Sequence, residues 1–319
     1  MKKDKSVVVI GGGTGIFSIL TGLKRYPLRL TAIVSMADDG GSTGVLREEF
    51  GILPPGDIRR ALVALSGEEQ PLANLLNYRF SKGSLNGHSF GNLLLTALTD
   101  LEGDFGKAIK QAEKILAVKG QVIPVTLDKA RLQAELKDGQ VITGETNIDV
   151  PKHDGHLKIK EIFLKPSCSA NPLAIKAIQQ ADLIIIGPGD LYTSIIPNLL
   201  VQGITQAIKE SKALKVYVGN IMTKFGETYG FQGEDFVEVI EDHLGENILD
   251  FVLFNNHQPT PGRIERYAKE KAQFVKCDPS VFLKKKFKIV EGDFLRPRGF
   301  IRHDSDKTSH VLFNLLENL

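Results

Sequence analysis

Residues 7–10 form an apolar, mostly β-branched run that leads into Gly11, Gly12, Gly13 and Gly15, and an apolar helical pattern starts at Ile16. That order predicts strand, tight turn and helix. Similar runs recur at 30–34, 121–125, 183–186, 216–218 and 251–254. Between several of them, at 108–118, 172–181, 198–210 and 235–243, apolar residues repeat at three and four positions, which predicts amphipathic helices. Continuously apolar strands alternating with such helices predict a Rossmann-like, doubly wound α/β fold with a mostly parallel sheet covered on both faces.

Two stretches break the alternation. From about 53 to 101 the pattern is almost wholly helical, and "LPPGDIRRALVAL" offers a proline turn with Asp57 as N-cap of a helix over 58–65. From about 122 to 163 short strands with the turn signals "KDGQ" and "KHDG" predict a small antiparallel β insertion. Both read as insertions into one domain spanning 1–319. His153 and His156 of "HDGH" lie three residues apart, but Gly155 and the strand pattern make this a hairpin turn rather than a zinc half-site.

Composition narrows the partners. The 319 residues carry 42% hydrophobic and 24% charged positions with a net charge of +2, enough apolar content for a large core and too little charge for a polyanion partner. Nucleic acid binding is therefore not expected, and the run Lys284, Lys285, Lys286, Phe287, Lys288 reads as a solvated strand edge. Cys168 and Cys277 are too few for a disulfide framework, which fits a reducing compartment. No apolar stretch reaches the roughly 20 residues of a membrane span, and no signal-type segment follows the lysine-rich start, so a cytoplasmic location is expected.

The glycine cluster is the first candidate site. A dinucleotide fingerprint requires glycines at its first, third and sixth places; counting from Gly11, Gly13 fits and Ile16 does not. A Walker A loop fits less well, because no Gly-Lys-Ser/Thr follows. Side-chain-free residues at a helix N-terminus still make an anion cradle, or equally a plain βα turn. Two further turns resemble it. "SMADDGGSTG" sets Asp38 and Asp39 beside Gly40, Gly41 and Ser42, a group that suits a ribose or sugar hydroxyl or Mg²⁺, or else a common aspartate-glycine turn. "GPGDLYTSIIPN" sets Gly187 and Gly189 before Asp190, Tyr192, Thr193 and Ser194, which suits a phosphate or a helix entry capped by Ser194 and Asn198. "NGHSFGNLLLTAL" adds His88, for phosphate donation or acid–base work, and Asn92, a cap or ligand contact.

Taken in order, "GGGTG", "MADDGGSTG", "LPPGDIRRAL", "GHSFGNLLLTAL", "GPGDLYTSIIPNLL" and "NIMTKFGET" resemble the CofD/YvcK family (UPF0052), and in particular its YvcK-type gluconeogenesis factors, over about residues 6 to 310. The resemblance implies that Gly12, Gly13, Thr14 and Gly15 shape a nucleotide turn, with Asp38 and Asp39 beside the sugar or a metal. It implies that Gly187, Pro188, Gly189, Asp190 and Leu191 face a diphosphate, with Asn220 and Thr223 nearby. YvcK-type sequences commonly have serine where this chain has Asp190, so this carboxylate either caps the helix or binds a metal or hydroxyl. Of Arg296, Arg298 and Arg302 in "LRPRGFIRHDSDKTSH", the resemblance favours Arg302 as the diphosphate's partner; the bland alternative pairs these arginines with Glu291 or Asp293. Ser305 and Thr308 are candidate phosphorylation acceptors.

Three functions are open to a chain with these motifs. The resemblance implies a regulatory protein that binds a UDP-sugar such as UDP-N-acetylglucosamine without turnover, serves growth on gluconeogenic carbon, cell shape and peptidoglycan synthesis, and acts on a cell-wall synthesis enzyme, with homodimerisation in prospect. It also covers a 2-phospho-L-lactate transferase, moving a phospholactyl-like group from a nucleoside diphosphate carrier to a hydroxyl, with Asp38 or Asp39 on Mg²⁺. An NAD-dependent dehydrogenase lacks the sixth-place glycine and a hydride-transfer set, although NAD offers the same diphosphate and ribose handles to the pocket.

Overall fold

In a computed structural model, the structure describes residues 4–67 and 70–318. The chain runs β1 (Lys5–Gly11), α1 (Gly13–Leu23) and β2 (Leu28–Val34), and then five helices, α2 (Gly41–Phe50), α3 (Pro55–Leu65), α4 (Gln70–Asn77), α5 (Phe90–Glu102) and α6 (Phe105–Ile115). β3 (Gln121–Pro124) follows, then β4 (Arg131–Leu136), β5 (Val141–Thr143), α7 (Glu145–Asp149) and β6 (Ile159–Lys165). The second half contains α8 (Pro172–Gln179), β7 (Leu183–Ile186), a π turn (Leu191–Ile195), α9 (Ile196–Leu199), α10 (Ile204–Glu210), β8 (Leu214–Val218) and α11 (Gly233–Leu244). β9 (Phe251–Asn255), α12 (Pro261–Ala268), β10 (Lys288–Gly292) and α13 (Ser305–Glu317) complete it.

Seven strands form one all-parallel sheet in the order β10-β9-β8-β7-β1-β2-β3. From β1 the chain winds outward through β2 to β3, then returns to β7 on the other side and winds out to β10. The order therefore reverses between β1 and β7. Beyond Lys5 and Ser6 at the start of β1, both strands are buried: Val7, Val8, Val9 and Ile10, and likewise Leu183, Ile184, Ile185 and Ile186, are at most 1% exposed. Burial on both faces explains why each reads as an unbroken apolar run. On one face α1 packs against α3 and α13, while α8, α10 and α11 form a second helical layer.

The small sheet β5-β4-β6 is antiparallel, and β4 alternates as a half-buried strand must, with Leu132, Ala134 and Leu136 inside. It starts at Arg131, later than expected, because residues 121–124 belong to the main sheet. The expected helix over 198–210 is broken: Gly203, at φ +98°, separates α9 from α10. The lysine run, read as a solvated strand edge, ends at Lys288, where β10 begins at the edge of the main sheet.

α13 lies directly on α1. A Cβ at Gly22 would stand 2.2 Å from both the Ser305 carbonyl and Ser309 Oγ, so only glycine permits this approach. That contact carries residues 295–304 to the mouth of the first glycine turn. Thr308 is fully buried in the same region, which removes it as a phosphorylation acceptor in the folded chain; Ser305 is half-buried. Both cysteines are free, with Cys168 buried. No helix of the described residues is long and apolar enough to cross a membrane.

Candidate functional site

β1 and β7 pair with Ile10 opposite Ile186, so Gly11 and Gly187 leave the sheet side by side at its C-terminal edge. Ligands of open α/β sheets bind at this edge, where the strand order reverses. The two turns are in backbone contact, since a Cβ at Gly15 would lie 2.1 Å from the Pro188 carbonyl oxygen. Asn198 and Asn220 fix the arrangement. Asn198 Nδ2 donates to the carbonyls of Gly11 (3.2 Å) and Ser194 (2.9 Å), and Asn220 Nδ2 donates to that of Gly189 (2.7 Å).

A cavity of about 570 Å³ opens above the turns. Gly12, Thr14, Gly15, Pro188, Gly189, Asp190, Asn220, Thr223 and Arg302 all line it, although they come from four separate segments of the chain. Thr223 is held by Gln273, whose amide donates to its Oγ1 at 2.9 Å. Gly13, Asp38, Gly40, Ser42 and Asn92 line an adjoining lobe of about 360 Å³ instead. Thr14, Asp149, Asp190, Ser194 and Lys224 belong to both. Leu191 is buried and lines neither, because it starts the π turn.

Both helix N-termini already hold a carboxylate of the protein. Asp57 Oδ2 accepts the Gly13 amide at 2.8 Å, and its Oδ1 accepts from Arg60 at 2.8 Å. At the second turn Glu227 accepts the Tyr192 amide and the Thr193 hydroxyl, each at 3.0 Å. Asp57 is thus not the N-cap of its own helix. Pro54 holds that position and Pro55 opens the helix, where its missing N–H costs nothing. The amides still open to an anion at α1 are those of Thr14 and Gly15, which the helix cannot pair internally.

Asp190 does not cap either, for its carboxylate makes no cap hydrogen bond and pairs with Lys224 at 3.2 Å. Lys224 also binds Asp149. Burial works against its charge, but Asp190, Glu227 and Asp149 outweigh this and hold the ammonium above its ordinary range. Burial and Asp190 push Glu227 up to about 8, against the pull of Lys224. Oxygens of Asp149, Asp190 and Glu227 lie within 4.8 Å of one another, and the cation among them is a side chain.

The Asp38 and Asp39 pair divides its roles. Both oxygens of Asp39 accept amides at the start of α7, from Glu145 (3.2 Å) and Thr146 (2.9 Å), and Asp39 lines neither cavity. The two aspartates therefore do not present a free pair of carboxylates to Mg²⁺. Asp38 does face the smaller lobe, where burial and the neighbouring Asp57 raise it to about 6. Glu145, also on that lobe, is pushed up to about 9 by burial and then by Asp38.

A folded pKa raised in this way destabilises the native state above the unfolded value near 4.5, and the loss grows until pH passes the folded value. Glu145→Gln is therefore expected to stabilise the protein by about 1 kcal/mol at pH 8, after allowance for partial exposure, and to have little effect at pH 4. Urea denaturation at the two pH values checks this.

His88 lies outside both cavities. Its Nδ1 meets Ser42 Oγ at 3.1 Å, and Asn92 joins Ser42 (3.3 Å) to Arg59 (3.0 Å), so these residues brace the first turn of α2. Arg302 is exposed, with its guanidinium 5.1 Å from the Phe300 ring centroid. Asp293 is taken by Lys307 at 2.5 Å and not by an arginine. Asp57, Glu145, Asp149, Lys224, Glu227 and His303 were not read as site residues. For Lys224 and Glu227 the signal was present in "NIMTKFGET", where two opposite charges flank a glycine in a short polar turn.

Residues 7–295 match the family model of 2-phospho-L-lactate transferase CofD. The chain belongs to the CofD family. Within it, the chain is 45% identical over 314 residues to the gluconeogenesis factor of Halalkalibacterium halodurans, covering 97% of this chain and 96% of that one. The gluconeogenesis factor of Bacillus subtilis is 41% identical over 321 residues, covering 99% and 100%. A crystal structure of a UPF0052 family member from Bacillus halodurans superposes with a TM-score of 0.93 at 43% identity, covering 98% of this chain and 100% of that one. The family match and the fold agree with the reading from six dispersed motifs.

Proposed function

We propose that this CofD-family chain binds a nucleotide sugar, of the UDP-N-acetylglucosamine kind, in the cavity between its two glycine turns, and that occupancy regulates rather than feeds a reaction. One observation carries the reading: Thr14 and Gly15 of the first turn, Pro188 and Gly189 of the second, and Arg302 line a single cavity at the point where the strand order reverses, while Gly187 lies behind that wall and does not line it. Its volume suits a small-molecule ligand. Thr14 and Gly15 supply neutral donors to a diphosphate, and Arg302 supplies the planar guanidinium such a group prefers. In this reading Asp38, which lines the neighbouring lobe, accepts from a sugar hydroxyl.

A role without turnover draws its support from the names of the relatives, which state a factor and no reaction. The names of the relatives support a part in gluconeogenic growth. In this reading the protein works in the cytoplasm and reports precursor supply to a cell-wall enzyme. The name of the family model supports a second reading, transfer of a phospholactyl-like group.

Calorimetric titration with UDP-N-acetylglucosamine, followed by chromatography of the ligand, tests both. Saturable binding, an intact ligand and at least a tenfold loss of affinity in Arg302→Ala are expected. Equal affinity in the variant would remove that arginine from the site. Product formed from a lactyl diphosphate donor would select the transferase.

A further inference from the structure

A third lobe, of about 520 Å³, adjoins the main cavity where α1 meets the segment leading into α13, and the two share Thr14, Ser18, Arg302 and His303. Among the described residues five arginines and two aspartates line it. Asp304 is occupied by the amides of Asp306 and Lys307 at the start of α13, each at 3.0 Å, and Asp306 is paired with Arg25. Arg60 pairs with Asp57. The remaining three guanidiniums form no ion pair with a carboxylate among the described residues. Arg59 is held by neutral groups, Asn92 Oδ1 at 3.0 Å and Asn77 Oδ1 at 2.8 Å, and burial together with Arg60 and Arg79 pushes it down to about 10.

Arg296 and Arg302 are neighbours across a short antiparallel bridge between Leu295 and His303, with the Arg296 amide donating to the Arg302 carbonyl at 3.0 Å. The carboxylate closest to Arg296 in sequence, Asp293, is bound to Lys307. Two residues on the wall of the lobe also have a buried polar atom with no hydrogen-bond partner, Thr21 Oγ1 and His303 Nε2. Positive charge gathered in a cleft and not neutralised by the protein focuses an attractive field on anions. Guanidiniums match the oxygens of a phosphoryl group with paired, charge-assisted hydrogen bonds.

We propose that this arginine lobe is a second anion site, which takes a phosphate monoester group beside the glycine-turn cavity. The shared wall sets that group, carried by a separate phosphorylated small molecule, beside the ligand of the main cavity. The inference does not require that ligand to be a UDP-sugar.

The test is a calorimetric titration of inorganic phosphate into wild type, Arg296→Ala and Arg296→Glu, with and without saturating UDP-N-acetylglucosamine. Arg296 is exposed and lines only this lobe, so both variants are expected to melt with the wild type. Saturable phosphate binding is expected in the wild type, about tenfold weaker in Arg296→Ala and absent in Arg296→Glu. Phosphate binding that survives nucleotide saturation supports the second site; exclusion, with the same dependence on Arg296, would mean that the diphosphate of UDP-N-acetylglucosamine, which carries no monoester, itself occupies the lobe, and would overturn a separate monoester site. No saturable binding, or equal affinity in wild type and Arg296→Glu, overturns the proposal. Arg296-dependent phosphate binding without any uptake of UDP-N-acetylglucosamine would refute the nucleotide reading and leave the second site standing.

Discussion

Gly15→Ala is expected to destabilise the protein by about 2 kcal/mol and to abolish nucleotide-sugar binding. Two effects oppose each other at this position. Gly15 lies in the first turn of α1, where alanine is the better helix former by about 1 kcal/mol. Against that, the new methyl group would stand 2.1 Å from the Pro188 carbonyl oxygen and 2.8 Å from Gly189 Cα, both backbone atoms of the second turn. No side-chain rotation relieves such a contact, so the turns must separate, and overpacking of this kind outweighs the gain in propensity. Urea denaturation gives the sign. A neutral or stabilising result would mean that the two turns do not touch.

Lys224→Met is expected to cost about 2 kcal/mol at pH 8, because Asp149, Asp190 and the buried Glu227 lose the one ammonium among them. This cost lies below the usual penalty for breaking a buried pair, since Lys224 and its aspartates remain partly exposed. Without the lysine, burial and Asp190 hold Glu227 above its unfolded value with no ammonium to oppose them. The penalty is therefore full at high pH and shrinks as pH falls towards the unfolded values near 4. Adding Asp190→Asn to Lys224→Met is expected to restore part of the loss, and a double-mutant cycle measures how much. Additive effects would show that the two groups act independently.

The parallel sheet was legible because its central strands are buried on both faces and cannot carry polar residues; residues 7–10 and 183–186 state this without ambiguity. The glycine turns were legible for a related reason, since backbone approach as close as that of Gly15 to Pro188 leaves no room for a side chain. What remained hidden depends on contacts distant in sequence. Nothing around Asp57 shows that its carboxylate serves an amide 44 residues earlier, and a proline turn beside it made a local cap the natural reading. Glu227 likewise binds the π turn across 34 and 35 residues. Asp39 illustrates the converse: it sits in a motif suited to a ligand, yet α7, from the small insertion, takes both of its oxygens. The expected site was thus right about which turns meet, while the electrostatics of their meeting is set by residues that only the fold brings together.

A crystal structure of the protein with UDP-N-acetylglucosamine tests the central claim most directly. The account predicts the diphosphate between the two glycine turns, within hydrogen-bond distance of the Thr14 and Gly15 amides and of Arg302. A ligand seated elsewhere, with Gly12–Gly15 and Gly187–Gly189 untouched, would contradict it.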